Sequence, residues 1–248
     1  MHTGVMQTFK IGKSALVALV FSFFFLNLIS RGPVEPKGNI ILKDLNTDDF
    51  DNLTLSGNFR AFYVNADSSF VSVETYENVA DNLKINVKNQ TLSIKEKRPT
   101  KKVDFYNITI YSKYQIKEIE IDKMVELNIS SEIKTDQFRL NAKNNAKFIG
   151  SLRSRVAEIV MSEKSRVNLR GQTQHAKLKI SDTASIIAPY WEIDRASLDA
   201  GKNSYTELNV KDSLRGTVKN TAQLVYYQQP VQALKIERSA TVHQRILE

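Results

Sequence analysis

No cysteine occurs anywhere in the 248 residues, which excludes a disulfide framework, thiolate metal sites, a cysteine nucleophile and lipoprotein acylation. Histidine is nearly as scarce. His2, His175 and His243 lie far apart, with no His-Glu-x-x-His and no paired spacing, so neither a metal site nor a cofactor is expected. The nine glycines form no Gly-x-Ser-x-Gly elbow and no Gly-x-Gly-x-x-Gly loop. Gly12-Lys13-Ser14 resembles the end of a phosphate loop, but Gln7 stands where the earlier glycine is required. Excess charge of one sign is modest, at +8. Arg153 with Arg155, and Lys147 with Arg166, are candidate basic patches, yet acidic residues interleave throughout and no nucleic-acid partner is expected.

What the chain does have is a repeat. Ile119-x-Ile121-x-x-x-Val125-x-Leu127 recurs with first positions at Leu140, Ile159, Leu178, Leu198, Gly216 and Leu234, in steps of 21, 19, 19, 20, 18 and 18 residues. Seven copies of four columns make 28 positions, and none is charged although a quarter of the chain is. Apolar residues two apart read as one face of a β-strand. Between the two pairs stands a residue that is always polar: Lys123, Asn144, Glu163, Asp182, Lys202, Asn220 or Arg238. A strand continuing through it would turn that side chain inward, so the chain must bend there and throw it out. The next inward residue is small in most copies, because a tight corner leaves little room.

A unit of this size cannot bury its own apolar face, and stacking copies at about 4.8 Å solves the problem. The expected architecture is therefore all-β: a single-stranded parallel β-helix, or β-solenoid. A leucine-rich repeat competes through Ile116-x-x-Ile119-x-Ile121, but later copies carry Gln137, His175 and Arg195 at the first of those positions. An antiparallel sandwich accounts for short strands but not for the period.

Ahead of the repeats, residues 1–31 read as a signal peptide or membrane anchor. Lys10 and Lys13 precede an apolar run over 15–29 interrupted only by Ser22 and Asn27. Leu28 spoils a small-x-small cleavage site, which favours an anchor crossing the membrane through residues 11–30. Residues 32–48 read as a linker that Pro33 and Pro36 stiffen at its start, and 49–248 as one domain. Within it, Leu53 and Leu55, then Val71 and Val73, mark strands, and Leu83 to Val87 followed by Leu92 and Ile94 forms a hairpin.

The opening Phe50-x-x-Leu53-x-Leu55-Ser-Gly57-x-Phe59, the 82–94 hairpin and the run of short rungs resemble the bacterial "putative auto-transporter adhesin, head GIN domain" family. The likeness spans about residues 50–243. It implies a right-handed β-helix at the cell envelope and brings no catalytic residues to transfer. One departure is visible: corners such as Asn144-Asn145-Ala146 and Asp182-Thr183-Ala184 replace the family's glycine-rich ones, using side chains that tolerate unusual backbone angles.

Two functional readings follow. In the first, the chain is an exported, non-enzymatic envelope module, adhesin-like or structural, either anchored in the periplasm or secreted to the surface. Its partner is an envelope or extracellular glycan or another protein. Tyr190-Trp191 and Tyr226-Tyr227 follow rung cores, and one ring of each pair should face outward, making Trp191, Tyr226 and Tyr227 ligand candidates. Self-association through the unpaired ends of the stack is a further expectation. In the second, the chain is a carbohydrate-active enzyme. Glu163 and Asp182 share a corner column about 5 Å apart, with Lys202 next, although the same column is equally a solvated ladder of turn residues.

Overall fold

The computed structural model describes residues 32–101 and 103–246. The chain enters through β1 (Ile40–Asn46) and makes a first rung from β2 (Asn52–Gly57) and β3 (Arg60–Asn65). Then come β4 (Phe70–Tyr76), the one-turn helix α1 (Glu77–Ala80), and the hairpin of β5 (Leu83–Lys88) and β6 (Thr91–Glu96). The next strands are β7 (Tyr106–Ser112), β8 (Glu118–Lys123), β9 (Glu126–Ile129) and β10 (Ile133–Ala142). Four long strands follow: β11 (Lys147–Met161), β12 (Arg166–Ile180), β13 (Ser185–Ala200) and β14 (Tyr205–Val218). β15 (Gln223–Tyr227), β16 (Val231–Ile236) and β17 (Thr241–Arg245) end the stack.

The repeats stack in parallel and like on like. Leu140 lies opposite both Ile119 and Ile159, and the row continues through Leu178, Leu198, Gly216 and Leu234. Ile121, Ala142, Met161, Ile180, Ala200, Val218 and Ile236 form the second row. Leu127, Phe148, Val167, Ile186, Thr206, Leu224 and Val242 form another. Away from the last rung these side chains are almost wholly buried, each aliphatic one contributing about 1.5–3 kcal/mol. The β-solenoid expectation holds, and parallel pairing of the copies rules out the sandwich.

Corners are stacked as well. Asn144 and Asn145, Glu163 and Lys164, Asp182 and Thr183, Lys202 and Asn203, and Asn220 and Thr221 all have φ between 50° and 66°. Each pair is closed by a backbone bond across the turn, as from Ala146 N to Lys143 O at 3.2 Å and from Ala184 N to Ser181 O at 3.1 Å. Two central residues in the left-handed region make a type I′ turn. Successive turns bond to one another too, Asn145 N donating to Glu163 O and Lys164 N to Asp182 O. Asn and Asp, whose short polar side chains tolerate this region, take five of these ten places.

The amino-terminal end departs from sequence order. The β2–β3 rung lies between the β6–β7 rung and the β8–β9 rung. β4 runs antiparallel to β1 and β7, and β5 runs antiparallel to β6, so hairpins cover this end. The linker reading of 32–48 needs correction here. Ile40–Asn46 is β1, paired along its whole length with β4, and Val34 is buried and bonded to Pro99 O. A linker reading weighs prolines and polar residues and is blind to a strand whose partner lies thirty residues on. The opposite end is uncovered among the described residues: there β16 pairs only with β14 and β17 only with β15, leaving Val231, Ile236 and Ile246 at 76%, 49% and 90% exposure. Among the described residues no helix is long and apolar enough to cross a membrane, and the leader at 1–31 lies outside them.

Candidate functional site

The middle of each long strand forms a third parallel ladder, and its outer surface holds a polar groove of about 500 Å3. Outward positions alternate with inward ones along each rung: Arg153 and Arg155 on β11, Gln172 and Gln174 on β12, Glu192 and Asp194 on β13. Ser154 and Thr173 form the floor between these walls, their hydroxyls 3.0 Å apart. Under the floor, the indole of the fully buried Trp191 donates to Thr173 Oγ1 at 2.9 Å. Gly171 is the register partner of Trp191 on the rung below and presents no side chain beneath it. Its φ of 113° would drive a Cβ to 2.1 Å from Leu152 O.

One wall is tied together. Arg153 Nη1 donates to Gln172 Oε1 at 2.7 Å, and Gln172 Nε2 to Glu192 Oε2 at 3.3 Å. On the other wall Arg155 makes a bidentate pair with Asp136, at 2.8 and 2.9 Å. That hydrogen bond holds the Asp136 carboxyl below the usual carboxylate range and raises Arg155. The rest of this wall is uncommitted: the side chains of Gln174, Asp194 and Lys211 have no bonding partner among the described residues. These are an amide, a carboxylate and an ammonium at rung spacing, a set suited to ligand hydroxyls.

β13 bulges at the edge of the groove. Between Ala188 and Glu192 it carries three residues that β14 leaves unmatched, and Asn209 Nδ2 covers the gap by donating to Pro189 O at 3.0 Å. The bulge pushes Tyr190 out to 67% exposure, beside Glu192. Re-aiming a side chain is what a bulge does.

The sequence candidates land elsewhere. Glu163, Asp182 and Lys202 do share the corner column, and Lys202 Nζ sits 3.2 Å from Asp182 Oδ1. The Ser181 hydroxyl, then Lys202, lowers the Asp182 carboxyl. None of the three lines the groove. Of the aromatic candidates, Trp191, Tyr226 and Tyr227 are all buried, and the ring in the open is Tyr190. Strand alternation fits Tyr190 and Trp191 but fails for the tyrosine pair, since Tyr226 is capped by Gln232 at 2.7 Å and Tyr227 bonds Glu207. Among the described residues no group of three or more His, Asp or Glu side chains is placed to hold a metal.

The stacked rows, the corner turns and the hairpin-covered end run through one continuous stretch, and residues 49–230 match the family described as "Putative auto-transporter adhesin, head GIN domain". The chain belongs to that family. Several solved structures share the fold of this head GIN domain. A "putative adhesin" from Bacteroides fragilis has a TM-score of 0.80 at 16% identity, covering 86% of this chain and all of its own. A "putative adhesin" from Parabacteroides merdae has a TM-score of 0.69 at 17% identity, with 86% and 98% covered. A "putative lipid binding protein" from Parabacteroides distasonis has a TM-score of 0.72 at 17% identity, with 86% and 100% covered. At these identities the likeness is one of fold. No curated protein matches the chain.

The groove of the head GIN domain was not singled out from sequence, although two signals point at it. The step from Leu178 to Leu198 is one residue longer than the two before it, and the bulge accounts for the excess. Arg-x-Arg, Gln-x-Gln and Glu-x-Asp also recur in register at 153, 172 and 192.

Proposed function

We propose that this head GIN protein is an exported, non-enzymatic module of the cell envelope, adhesin-like, that holds a glycan along the polar groove. The carrying observation is the uncommitted wall of Gln174, Asp194 and Lys211 with Tyr190 standing open beside it. An amide, a carboxylate and a ring face supply the hydrogen bonds and the stacking surface that sugars use, and the groove crosses five rungs, from Thr135 to Lys211, roughly 19 Å. Residues 11–30 hold the chain to the membrane in this reading, or direct it to the periplasm or cell surface. Repeated weak contacts with a repetitive polymer suit a surface that itself repeats.

The test is a glycan array with the full chain, followed by calorimetry on the best ligand. Tyr190→Ala and the pair Gln174→Ala/Asp194→Ala should each weaken binding about tenfold, while Glu163→Ala/Asp182→Ala should leave it intact. Loss of turnover of a polysaccharide in that last variant would move the assignment to the enzymatic reading. The bare end rung supports self-association as well. Head-to-tail growth is blocked by the hairpins at the other end, so the expected product is a closed tail-to-tail dimer, and a strict monomer in sedimentation at high concentration would dispose of it.

A further inference from the structure

Next to the groove lies a second concavity, of about 330 Å3, whose polar lining is His175, Lys177, Arg195, Ser197, Ser213 and Arg215. These form a grid of two rows. His175, Arg195 and Ser213 are register partners up the stack, as are Lys177, Ser197 and Arg215, about 4.8 Å apart per rung. No acidic side chain lines it.

The second row shows what is missing. Further down the stack it reads Glu118, Arg139, Glu158, Lys177, with alternating sign. Glu158 is held by Arg139 at 3.4 Å and by Lys177 at 2.8 Å, and the Lys177 hydrogen bond, burial notwithstanding, lowers its carboxyl. Continued alternation puts an acid at 197, between Lys177 and Arg215. The residue there is Ser197, which accepts a 2.9 Å hydrogen bond from Arg215 Nε. In the first row, Arg195 faces His175 on one side and Ser213 on the other. The Arg195 guanidinium has no ion pair and no hydrogen bond among the described residues. Arg195 and Arg215 thus stand at one concavity with no carboxylate among the described residues against them, which leaves them open to a countercharge from outside.

We infer that this pocket binds the oxyanion substituent, a carboxylate, sulfate or phosphate, of an anionic glycan. Arg195, Arg215, Ser197 and Ser213 line it, Lys177 being already paired with Glu158, and guanidinium forks match oxyanion geometry. The volume is at the lower end for ligand pockets and suits one charged sugar unit. The carrier is argued from position: Gln174 and Asp194 in the groove are the chain neighbours of His175 and Arg195 in the pocket. A glycan in the groove therefore offers its substituents to the pocket. The choice of glycan as carrier rests on the groove reading; the oxyanion does not.

The experiment compares full-chain binding of polygalacturonate, dextran sulfate, neutral dextran and phosphatidylglycerol vesicles at low and high salt. Arg195→Gln/Arg215→Gln should weaken the two anionic polymers about 30-fold and flatten their salt dependence. Arg166→Gln, an exposed arginine on another ladder, should change them less than about twofold, and far-ultraviolet dichroism of all variants should match the parent. Arg195→Lys/Arg215→Lys should recover part of the loss, as charge without the fork. The proposal is overturned if the parent binds neither the anionic polymers nor the anionic vesicles, if neutral dextran binds as tightly, or if Arg166→Gln does equal damage. Vesicle binding with the same arginine dependence, and none to the polymers, would keep the oxyanion but reject the glycan. Failure of the groove reading looks different: Tyr190 and Asp194 variants would lose nothing while the arginine variants still did.

Discussion

The inner corner column holds Val125, Ala146, Ser165, Ala184, Ser204, Ala222 and Ala240, and two of its members carry a hydroxyl that the others lack. Ser165 and Ser204 are at 0% and 1% exposure, and their oxygens have no hydrogen-bond partner among the described residues. Thr206, two residues on and facing the same core, is fully buried and equally unpaired. Leaving a buried hydroxyl unsatisfied costs about 1–3 kcal/mol. Ser165→Ala removes that cost, and alanines on the rungs below and above show that the corner accepts a methyl. Against it stands the dispersion lost with one oxygen atom, about 0.5 kcal/mol. Thr206→Val keeps the shape between its register partners Ile186 and Leu224 and loses less. Each change should therefore raise stability by about 1–2 kcal/mol, or about 2–4 °C per kcal/mol in melting temperature for a domain of this size. Ser165 and Thr206 are two rungs apart, roughly 10 Å, so their effects should add, whereas Ser204 and Thr206 on one rung need not. Urea unfolding at unchanged slope reads the effect as a shift in midpoint. If Ser165→Ala and Thr206→Val both lower the midpoint, the hydroxyls have partners and the reasoning from unsatisfied buried oxygens fails.

Gly216 occupies an inward position with φ at 130°, where a Cβ would come within 1.9 Å of Leu198 O; Gly216→Ala should destabilise by about 3–5 kcal/mol, read from the urea midpoint, because strain and overlap add. Thr183 is β-branched and sits at φ 62°, so Thr183→Gly should gain about 0.5–1 kcal/mol, the relief of left-handed strain exceeding the entropy that glycine loses. Burial, then the Glu96 charge, pushes the Tyr106 phenol far above its ordinary value. A raised folded-state pKa gives stability that is complete below the unfolded value, about 10, and drains away as pH rises beyond it. The urea midpoint should hold up to about pH 10 and fall above it, and Tyr106→Phe should make that fall shallower. Tyr106→Phe should also not destabilise at neutral pH, since the buried hydroxyl makes no geometrically sound hydrogen bond among the described residues.

The interior was readable because it repeats under a hard constraint. An inward position in a stack meets the same position above and below, so a charge there has no escape, and seven aligned copies leave the exclusion visible in one sequence. Corners were readable for a similar reason: the bend demands an outward polar residue and a small inward one, and Asn144 with Ala146 or Asp182 with Ala184 announce both. The amino-terminal end was not. That β2 should lie between β6 and β8 is a matter of which free edge each rung finds, and nothing periodic records it. Likewise the burial of Trp191 depends on Gly171 one rung away, a partnership that local alternation does not express.

The outer surface obeys a weaker rule, and that weakness is where function becomes visible. Rows spaced at about 4.8 Å bring outward charges close, so the undemanding arrangement is alternation of sign, as in Glu126 with Lys147, Asp136 with Arg155 and Asp182 with Lys202. Such pairs are worth little each, being exposed, but they carry no net demand for a partner. Two carboxylates in one corner column, with a lysine next, made Glu163, Asp182 and Lys202 conspicuous in the sequence, and the pairing within that column is the reason to weigh them lightly: Asp182 already has its countercharge. The groove and the adjoining pocket break the rule in different ways. In the groove the wall of Gln174, Asp194 and Lys211 stays unpaired. In the pocket Ser197 replaces the acid that would neutralise Arg215, while Lys177 takes its countercharge from Glu158. In the readings proposed above a ligand completes both rows where the chain does not, so for a solenoid the places to look first are the interruptions in the ladder of charges rather than its rungs.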